Sequence, residues 1–432
     1  MTAAEPSPRR RILTLLRSSA FASAFATAAI GALFSTHLLR QLMGDAGYGA
    51  IIVGLCVIGL TLLVARRREW RVIELMPTTL VLLLAWLLVT TVWSVSVSAS
   101  LTGWLQLAAP TLLAVVVAQF RDTLQTVRAT GDVLRFLLSG SLAIEIFSGI
   151  LIDLPIPFLG IGGHIAEGGP IQGLFGSRTL LGLVTIIALI TFLVEWRTRS
   201  VPVGVSVYSV LLGLTLALLT ASPLVLGMGF IAGLATAILA LVRHTPARHR
   251  TTLQWTIAGI LTVSAALVYV FRRPFVYWLN AEPDFLSRTQ LWNEIIDMAA
   301  FRPVQGWGWV GTWPDREVPY SFIQYAVGYE YTSALNAWMD MLLQAGAVGV
   351  ALFAGFAGLA LARAWLTASE RRSTVYTWPT LIIVTLLVDS AVTSSLLGGF
   401  GWFLLVFCAT RSSVTRSWRT AFEERPGSAL AS

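Results

Sequence analysis

Two arginines and two tryptophans in one stretch of the chain have the chemistry to bind a phosphorylated sugar. Arg288 and Arg302 precede the glycine-rich run 306–311, which contains Trp307 and Trp309. A guanidinium group can bind two phosphate oxygens at once, and flat aromatic faces pack on sugar rings. Glycines in the same run allow a ligand to approach the backbone closely. The cluster predicts a binding site, although each residue alone is also typical of a side chain at a membrane surface.

Carboxylates inside apolar runs are further candidates for chemistry. Glu145, Asp340 and Asp389 would each be costly to bury in a bilayer without a partner. Each could pair with an arginine and steady the helices, or serve a reaction, and Asp340 is a candidate for contact with substrate. The sequence contains no D-x-D, H-E-x-x-H or P-loop motif that would hold a metal or a nucleotide. We therefore expect neither a metal nor another cofactor.

These residues belong to a chain that is made largely of apolar segments. Of its 432 residues, 56% are apolar and 12% are charged, and the mean hydropathy is +0.75. This excludes an ordinary soluble enzyme, in which about a quarter of the residues are charged. Runs of about 20 apolar residues, long enough to cross a bilayer, predict an all-α polytopic membrane protein with about 12 transmembrane helices, or 11 if the short last run does not cross. The predicted spans are residues 19–38, 47–65, 75–93, 101–120, 134–152, 179–196, 203–221, 223–242, 253–271, 336–362, 375–394 and 396–410.

The distribution of arginine predicts the orientation of these spans. All 30 basic residues are arginines, and 23 of them lie in the connections on the side that holds both termini. Because basic residues are enriched in cytoplasmic loops, residues 1–18 and 411–432 are predicted to be cytoplasmic tails. Residues 19–271 then hold spans one to nine, 272–335 form a long extracytoplasmic loop, and 336–410 hold the last three spans. The net charge of +8 is a topology signal, and nucleic acid is not an expected partner.

The loop 272–335 is predicted to be folded and functional. It contains five Trp, five Tyr and four Phe, about twice the aromatic density of the whole chain, which argues against disorder. Ser287 and Gln290 form a capping-box pattern, so residues 288–301 are predicted to be a short amphipathic helix. Arg288 would then lie in its first turn, where a basic residue is unfavourable for the helix dipole. The apolar face would consist of Leu291, Trp292, Ile295, Ile296 and Ala299.

Several segments, in their order along the chain, resemble the bacterial family of O-antigen ligases and polymerases, including its exopolysaccharide-polymerase branch. The resemblance covers roughly residues 75–400, with the long loop placed before a late transmembrane helix. The segments that carry it are WSVS at 93–96, GLFGSRTLLG at 173–182, SRTQLW at 287–292, RPVQGWG at 302–308, NAW at 336–338 and QAGAVG at 344–349.

The resemblance implies a metal-independent glycosyl transfer at the outer face of the bacterial cytoplasmic membrane. A glycan would pass from a polyprenyl pyrophosphate carrier to a hydroxyl group of an acceptor glycan, during synthesis of exopolysaccharide, capsule or an O-antigen-like polysaccharide. In this family outward arginines are expected to hold the pyrophosphate. Arg288 matches that role best, followed by Arg178 and Arg302. The implied partners are the lipid-linked oligosaccharide, the acceptor glycan and membrane lipid, with a flippase and chain-length regulator proteins as further candidates.

The end of the loop departs from the family pattern. The family often has a His-Asn pair there, proposed to act on the acceptor hydroxyl, and this chain has Leu335-Asn336. With the histidine absent, Glu330 is our first candidate for the general base, and His164 and Asp340 follow. Preorganised arginines on the pyrophosphate leaving group could supply the largest part of the catalysis, because base assistance contributes about 10²- to 10⁴-fold.

Two other classes of protein share many of these features. A transporter or exporter of lipid or glycan with twelve helices should show two related halves, and no such repeat is evident in the sequence. A catalytically silent member of a polysaccharide assembly complex would also lack the histidine. Within the resembling family, the sequence is compatible with a ligase and with a polymerase.

Overall fold

The computed structural model describes residues 14, 16–67, 76–270 and 282–415. Most of the two predicted tails and residues 272–281 of the long loop lie outside these ranges. Within them no β-strand forms, and one isolated β-bridge joins Ile156 to Ile161. We number the α-helices in chain order: α1 (Ser19–Phe34), α2 (Thr36–Ala65), α3 (Thr78–Val89), α4 (Val97–Phe120), α5 (Thr123–Ile146), α6 (Arg178–Thr198), α7 (Val203–Leu219), α8 (Pro223–His244), α9 (Ala247–Val270), α10 (Glu282–Ala300), α11 (Tyr320–Val327), α12 (Ala337–Glu370), α13 (Thr377–Ser390) and α14 (Gly399–Thr415).

Many of these helices are apolar enough to lie in a bilayer. In the part of the chain that the structure describes, six are both long and apolar enough to cross one: α2, α4, α5 with its continuation to Ile152, α6, α8 and α12. Shorter apolar helices are α1, α7, α3 with the following turn to Trp93, and α13 with the preceding turn from Thr374. The protein is therefore an all-helical, membrane-embedded protein.

Each predicted apolar run overlaps one of these helices, but the bounds differ. α5 begins at Thr123, well before the predicted start at residue 134, because Asp122 caps it. The Asp122 carboxylate accepts the N–H of Gln125 at 2.7 Å, and the Gln125 side chain accepts the N–H of Asp122 at 3.3 Å. α2 begins at Thr36 and is broken at Gly44, where φ is 72° and ψ is 174°. This backbone conformation is essentially restricted to glycine.

α14 is the most deeply buried helix of the bundle, although the run that predicts it is the shortest. Residues 402–408 are completely buried, and α14 packs against α4, α12 and α13. The Trp402 indole donates to the Thr111 hydroxyl of α4 at 2.7 Å. A similar bond at 3.0 Å joins Trp378 of α13 to Thr191 of α6. These bonds between buried polar groups hold helices together where apolar surface alone gives little preference.

Glu145 in α5 holds the loop that follows it. Its side chain is buried, and Oε1 accepts the N–H groups of Gln172 and Gly173 at 3.1 and 2.8 Å. Of the two roles that the sequence allows for Glu145, the structure shows a stabilising one. The partner is backbone rather than an arginine.

A buried ion pair joins α5 to α6. Arg135 donates through Nη1 to Glu195 Oε2 at 2.8 Å and through Nη2 to Oε1 at 3.0 Å, and the Glu195 side chain is 1% exposed. Arg135 Nη2 also contacts the exposed Asp132 at 3.1 Å. A Cβ atom at Gly131 would lie only 2.6 Å from Glu195 Oε1, so glycine makes room for the pair. The bidentate contact fixes the two helices against each other.

Arg135→Met is expected to lower the free energy of unfolding by about 3–5 kcal/mol, because it leaves the Glu195 carboxylate buried without its partner. The double variant Arg135→Met/Glu195→Met should regain most of that stability, since no buried charge remains. Thermal unfolding in detergent, followed by tryptophan fluorescence, measures both. A single variant as stable as the wild type would show that the pair does not stabilise the helix contact.

Candidate functional site

Residues 282–335, which we call the cap, form a small folded unit on the helical bundle. Of the predicted apolar face of α10, Leu291, Ile295 and Ala299 are buried, Trp292 is half-buried and Ile296 is exposed. This face packs inside the cap and against α12. These contacts form a hydrophobic core separate from that of the helical bundle. Its buried residues are Leu291, Ile295, Val310, Trp313, Tyr320, Ile323, Ala334 and Leu343.

The predicted start of the cap helix is wrong. α10 begins at Glu282 rather than at residue 288, so Ser287 lies inside the helix and is not its N-cap. The sequence at 282–284 is Glu-Pro-Asp, and proline and acidic residues are favoured in a first helical turn. Arg288 therefore lies beyond the first turn, and the expected conflict with the helix dipole does not arise.

Residues 303–308 of the cap fill a break in α12. At Gly346, φ is 67° and ψ is −170°, another conformation essentially restricted to glycine. Before the break, the carbonyl of Leu343 accepts the N–H of Trp307 at 3.0 Å. After the break, the N–H of Ala347 donates to the carbonyl of Pro303 at 2.9 Å. The backbone groups that a broken helix leaves unpaired are thus bonded to the cap.

The Gln344 side chain fixes the rest of the glycine-rich run. Its Oε1 accepts the N–H groups of Val310 and Gly311, both at 2.9 Å, and its Nε2 donates to the Gly311 carbonyl at 3.2 Å. On the other side, a Cβ atom at Gly103 of α4 would overlap the Val310 carbonyl. The run is therefore an inserted, tightly held segment between α4 and α12.

The Asp340 carboxylate is buried and accepts four hydrogen bonds. Oδ1 accepts from the Trp313 indole at 2.7 Å and from Gln344 Nε2 at 3.2 Å. Oδ2 accepts the N–H of Ala334 at 3.1 Å and the hydroxyl of Ser394 at 2.5 Å. These bonds occupy all the acceptor positions that a carboxylate offers. Asp340 thus joins the cap to α12 and to the connection after α13.

That connection, residues 391–395, is where three of the predicted site residues meet. Arg288 Nη1 donates to one of its backbone carbonyls and, at 3.3 Å, to the carbonyl of Leu335. The amide of Asn336 donates to another carbonyl of the segment at 2.9 Å, and a serine hydroxyl of the segment donates to Asp340. Residues far apart in the sequence are therefore gathered around five consecutive residues.

Leu335 and Asn336 form the junction between the cap and α12. The Asn336 side chain caps α12 by accepting the N–H groups of Trp338 and Met339 at 2.9 and 3.3 Å. Leu335 has a φ of 51°, an uncommon left-handed conformation for a leucine. The carbonyl that Leu335 offers to Arg288 is thus held in place by a strained turn and a helix cap.

A cavity of about 900 Å³ lies beside the segment 391–395. Polar side chains in its lining include Ser394, Ser395 and Asp340. Apolar side chains in its lining include Val53 of α2 and Leu105 of α4, which are both largely exposed. The cavity therefore has both polar and apolar lining residues.

Trp309 is one of the predicted tryptophans and lines this cavity, but it is 1% exposed. Its backbone N–H donates to the Thr90 hydroxyl at 2.9 Å. Arg302 lies elsewhere: its guanidinium carbon is 4.5 Å from the ring centre of Trp307, and it donates to the Trp93 carbonyl at 3.3 Å. Arg302 and Trp307 thus pair with each other, away from the cavity wall.

Arg288, Asn336 and the remaining predicted residues are not among the residues that line the cavity. Arg178 is the first residue of α6 and is exposed. Glu330 is exposed near the end of the cap, two residues before Thr332, which does line the cavity. His164 is exposed and pairs with Glu167 at 3.4 Å.

Sequence reasoning missed a polar group on α2. Arg40 Nε contacts Asp45 Oδ1 at 3.2 Å, and the Arg40 guanidinium carbon lies 5.2 Å from the ring centre of Tyr48. All three side chains line the cavity. The group surrounds the break at Gly44. A glycine between Arg40 and Asp45, just before an apolar run, is the sequence signal that could have found it.

The cap interior also holds a phenol in an unusual environment. Tyr320 is buried, and its ring centre lies 5.2 Å from that of Trp313. Burial raises the pKa of Tyr320 well above its ordinary value, and the charges of Asp340 and Glu317 raise it further. The phenol therefore remains neutral over any physiological pH. Among the residues that the structure describes, no group of three His, Cys, Asp or Glu side chains is placed to hold a metal ion.

No family model matches this chain, and no curated protein sequence matches it. A functional assignment therefore depends on the chemistry of the site and on the segments discussed above.

Proposed function

We propose that the protein transfers or polymerises glycans from a polyprenyl pyrophosphate carrier onto an acceptor hydroxyl at the outer face of the bacterial cytoplasmic membrane. In this proposal about twelve helices span the membrane, both termini are cytoplasmic and the cap lies outside. The arginine distribution supports this orientation. The order of the resembling segments supports the reaction.

The observation that carries the proposal is the cavity with both polar and apolar lining residues. A polyprenyl pyrophosphate-linked glycan has a long apolar tail, an anionic centre and a polar sugar, and it must be bound at a membrane surface. The exposed apolar lining residues Val53 and Leu105 suit the tail. The polar lining residues Ser394 and Ser395 suit the sugars.

In this proposal Arg288 holds the pyrophosphate: it does not itself line the cavity, but it bonds to the segment 391–395, whose Ser394 and Ser395 do. Its hydrogen bonds to described residues, the Leu335 and Val392 carbonyls, both use Nη1. In the proposal its Nη2 and Nε hydrogens bind phosphate oxygens. Among the side chains that the structure describes, no carboxylate forms an ion pair with Arg288. In the transfer, Arg288 would stabilise the negative charge that develops on the leaving pyrophosphate.

A transporter of the same lipid-linked glycan is the second candidate, because two candidate spans are broken. Discontinuous helices often form substrate sites in transporters. The break at Gly346 in α12, however, is filled by cap backbone. The break at Gly44 lies next to Asp45, which lines the cavity. The proposed enzyme therefore explains more features of the site than a transporter does.

A purified sample in liposomes tests the proposal directly. With a polyprenyl pyrophosphate-linked oligosaccharide as donor, we expect release of polyprenyl pyrophosphate and transfer or extension of the glycan, without nucleotide and with EDTA present. Chromatography of the lipid products measures release, and labelled sugar measures transfer.

Two results would contradict the enzyme. Movement of the intact donor between leaflets without cleavage would identify a transporter. Binding of the donor with neither cleavage nor movement would identify an assembly protein.

A further inference from the structure

Asp389, at the end of α13, is a buried carboxylate with one unused oxygen. Its side chain is completely buried. Oδ2 accepts hydrogen bonds from the hydroxyls of Thr393, at 2.5 Å, and Ser395. Within the described part of the chain, Oδ1 has no hydrogen-bond partner. A carboxylate that is left incompletely bonded inside a membrane protein is costly and is a candidate for function.

Ser395 connects this carboxylate to the cavity. Its hydroxyl donates to Asp389 Oδ2 and lies on the cavity wall, whereas Asp389 itself does not line the cavity. The Thr393 hydroxyl is 3.0 Å from Ser395 Oγ and fixes it further. A ligand in the cavity could therefore exchange a proton with Asp389 through Ser395.

The neighbouring carboxylate, Asp340, is not equivalent. Its partner Ser394 also lines the cavity, but the four hydrogen bonds to Asp340 stabilise its charged form more fully than the two that Asp389 accepts. Glu330 and His164 are both exposed and lie outside the cavity wall. Asp45 also lines the cavity, but it pairs with Arg40 at 3.2 Å. Among the described acids at or beside the cavity, Asp389 is the buried one with an unbonded oxygen.

We infer that Ser395 and Asp389 together accept the proton of the acceptor hydroxyl, Ser395 as a catalytic residue and Asp389 through it. This inference rests on the proposed glycosyl transfer. The acceptor oxygen bonds to the anomeric carbon of the donor sugar, and the bond from that carbon to the pyrophosphate oxygen breaks, its electron pair leaving with polyprenyl pyrophosphate.

The proton follows a defined path in the same step. The acceptor proton passes to Ser395 Oγ while the Ser395 proton passes to Asp389 Oδ2. Afterwards the proton returns through Ser395 to water or to the released pyrophosphate. Arg288, which would hold the leaving group, bonds to the carbonyl of Val392, three residues from Ser395. The same short segment therefore contacts Arg288 and supplies Ser395, which would accept the proton of the nucleophile.

Asp389→Asn and Ser395→Ala test the inference in the liposome assay. Asparagine keeps the shape of the side chain but cannot accept the proton, and alanine removes the connecting hydroxyl. We expect each change to lower kcat by about 10²-fold or more, the usual size of base assistance, with the KM for the lipid-linked donor unchanged. Thr385→Val is the matched control, because Thr385 is buried in the same helix and its hydroxyl bonds only to the Leu381 carbonyl.

The outcomes are distinct. Normal kcat in either folded variant, or a rise in donor KM that matches the loss of activity, would overturn the inference. If Asp389→Asn does not fold, Ser395→Ala decides alone, since it removes one hydroxyl at a cavity wall. An inactive wild-type protein would instead count against the proposed function.

Discussion

Replacing Gly346 by alanine is expected to lower the free energy of unfolding by at least about 3 kcal/mol. The backbone at Gly346, with φ 67° and ψ −170°, lies in a region that residues with a Cβ avoid. The new methyl group would also overlap the Val304 carbonyl and press on the N–H of Gly306. The cap would have to move away from α12 and lose its backbone hydrogen bonds there. Thermal unfolding in detergent measures the loss.

Gly355→Ala is the matched control for this prediction. Gly355 lies in the same helix, with helical backbone and no atom within 4 Å of a built Cβ. Alanine there should be neutral or should stabilise the helix by about 0.5–1 kcal/mol. If both alanine variants were equally stable, the contact between the cap and the broken helix would not be a determinant of stability.

The positions of the helices could be predicted from the sequence, but their burial could not. The apolar runs overlap every apolar helix in the described ranges, because hydropathy measures how unfavourable a segment is in water. Hydropathy does not separate a helix that faces lipid from one that faces other helices, because both surroundings are apolar. α14 has the shortest predicted run and yet lies at the centre. Its pairing of Trp402 with Thr111 joins residues almost 300 positions apart.

The breaks in α2 and α12 show a second limit. Gly346 and Gly355 look alike in the sequence, and only the backbone of the cap, which packs into α12, makes the first one a break. The start of α10 shows the reverse case. There Ser287 and Gln290 suggest a local cap, but the Glu-Pro-Asp start at 282–284 extends the helix past it.

The site was predictable in part for similar reasons. Arg288 and Asn336 stand out in the sequence, and the structure gathers both at residues 391–395. The serines of that segment belong to no sequence motif. Ser394 matters because it bonds to Asp340, more than 50 positions away, and Ser395 matters because it lines the cavity. Arg40 was unremarked because it looks like any arginine at a membrane surface until the bend of α2 places it on the cavity wall.

Arg288→Lys is expected to lower the rate of glycan transfer by about 10²- to 10³-fold, equivalent to about 2–4 kcal/mol of transition-state stabilisation. Lysine keeps the positive charge but loses the planar fork that can bind two oxygens of the pyrophosphate. The fork matters at this position because Nη1 is already bonded to the Leu335 and Val392 carbonyls. The single ammonium group of lysine could not bond to those carbonyls and to two oxygens of the ligand at the same time. Initial rates of donor cleavage and glycan transfer measure the change.

Arg316→Lys is the control, because Arg316 is an exposed residue of the same cap and matches no resembling segment. It should retain wild-type activity. Thermal unfolding of Arg288→Lys must be measured on the same sample, because the two carbonyl bonds also tie α10 to the junction with α12. A stable variant with wild-type activity would remove Arg288 from the reaction and leave it as a structural link. A stable variant with slow transfer and normal donor binding would assign its charge to the transition state.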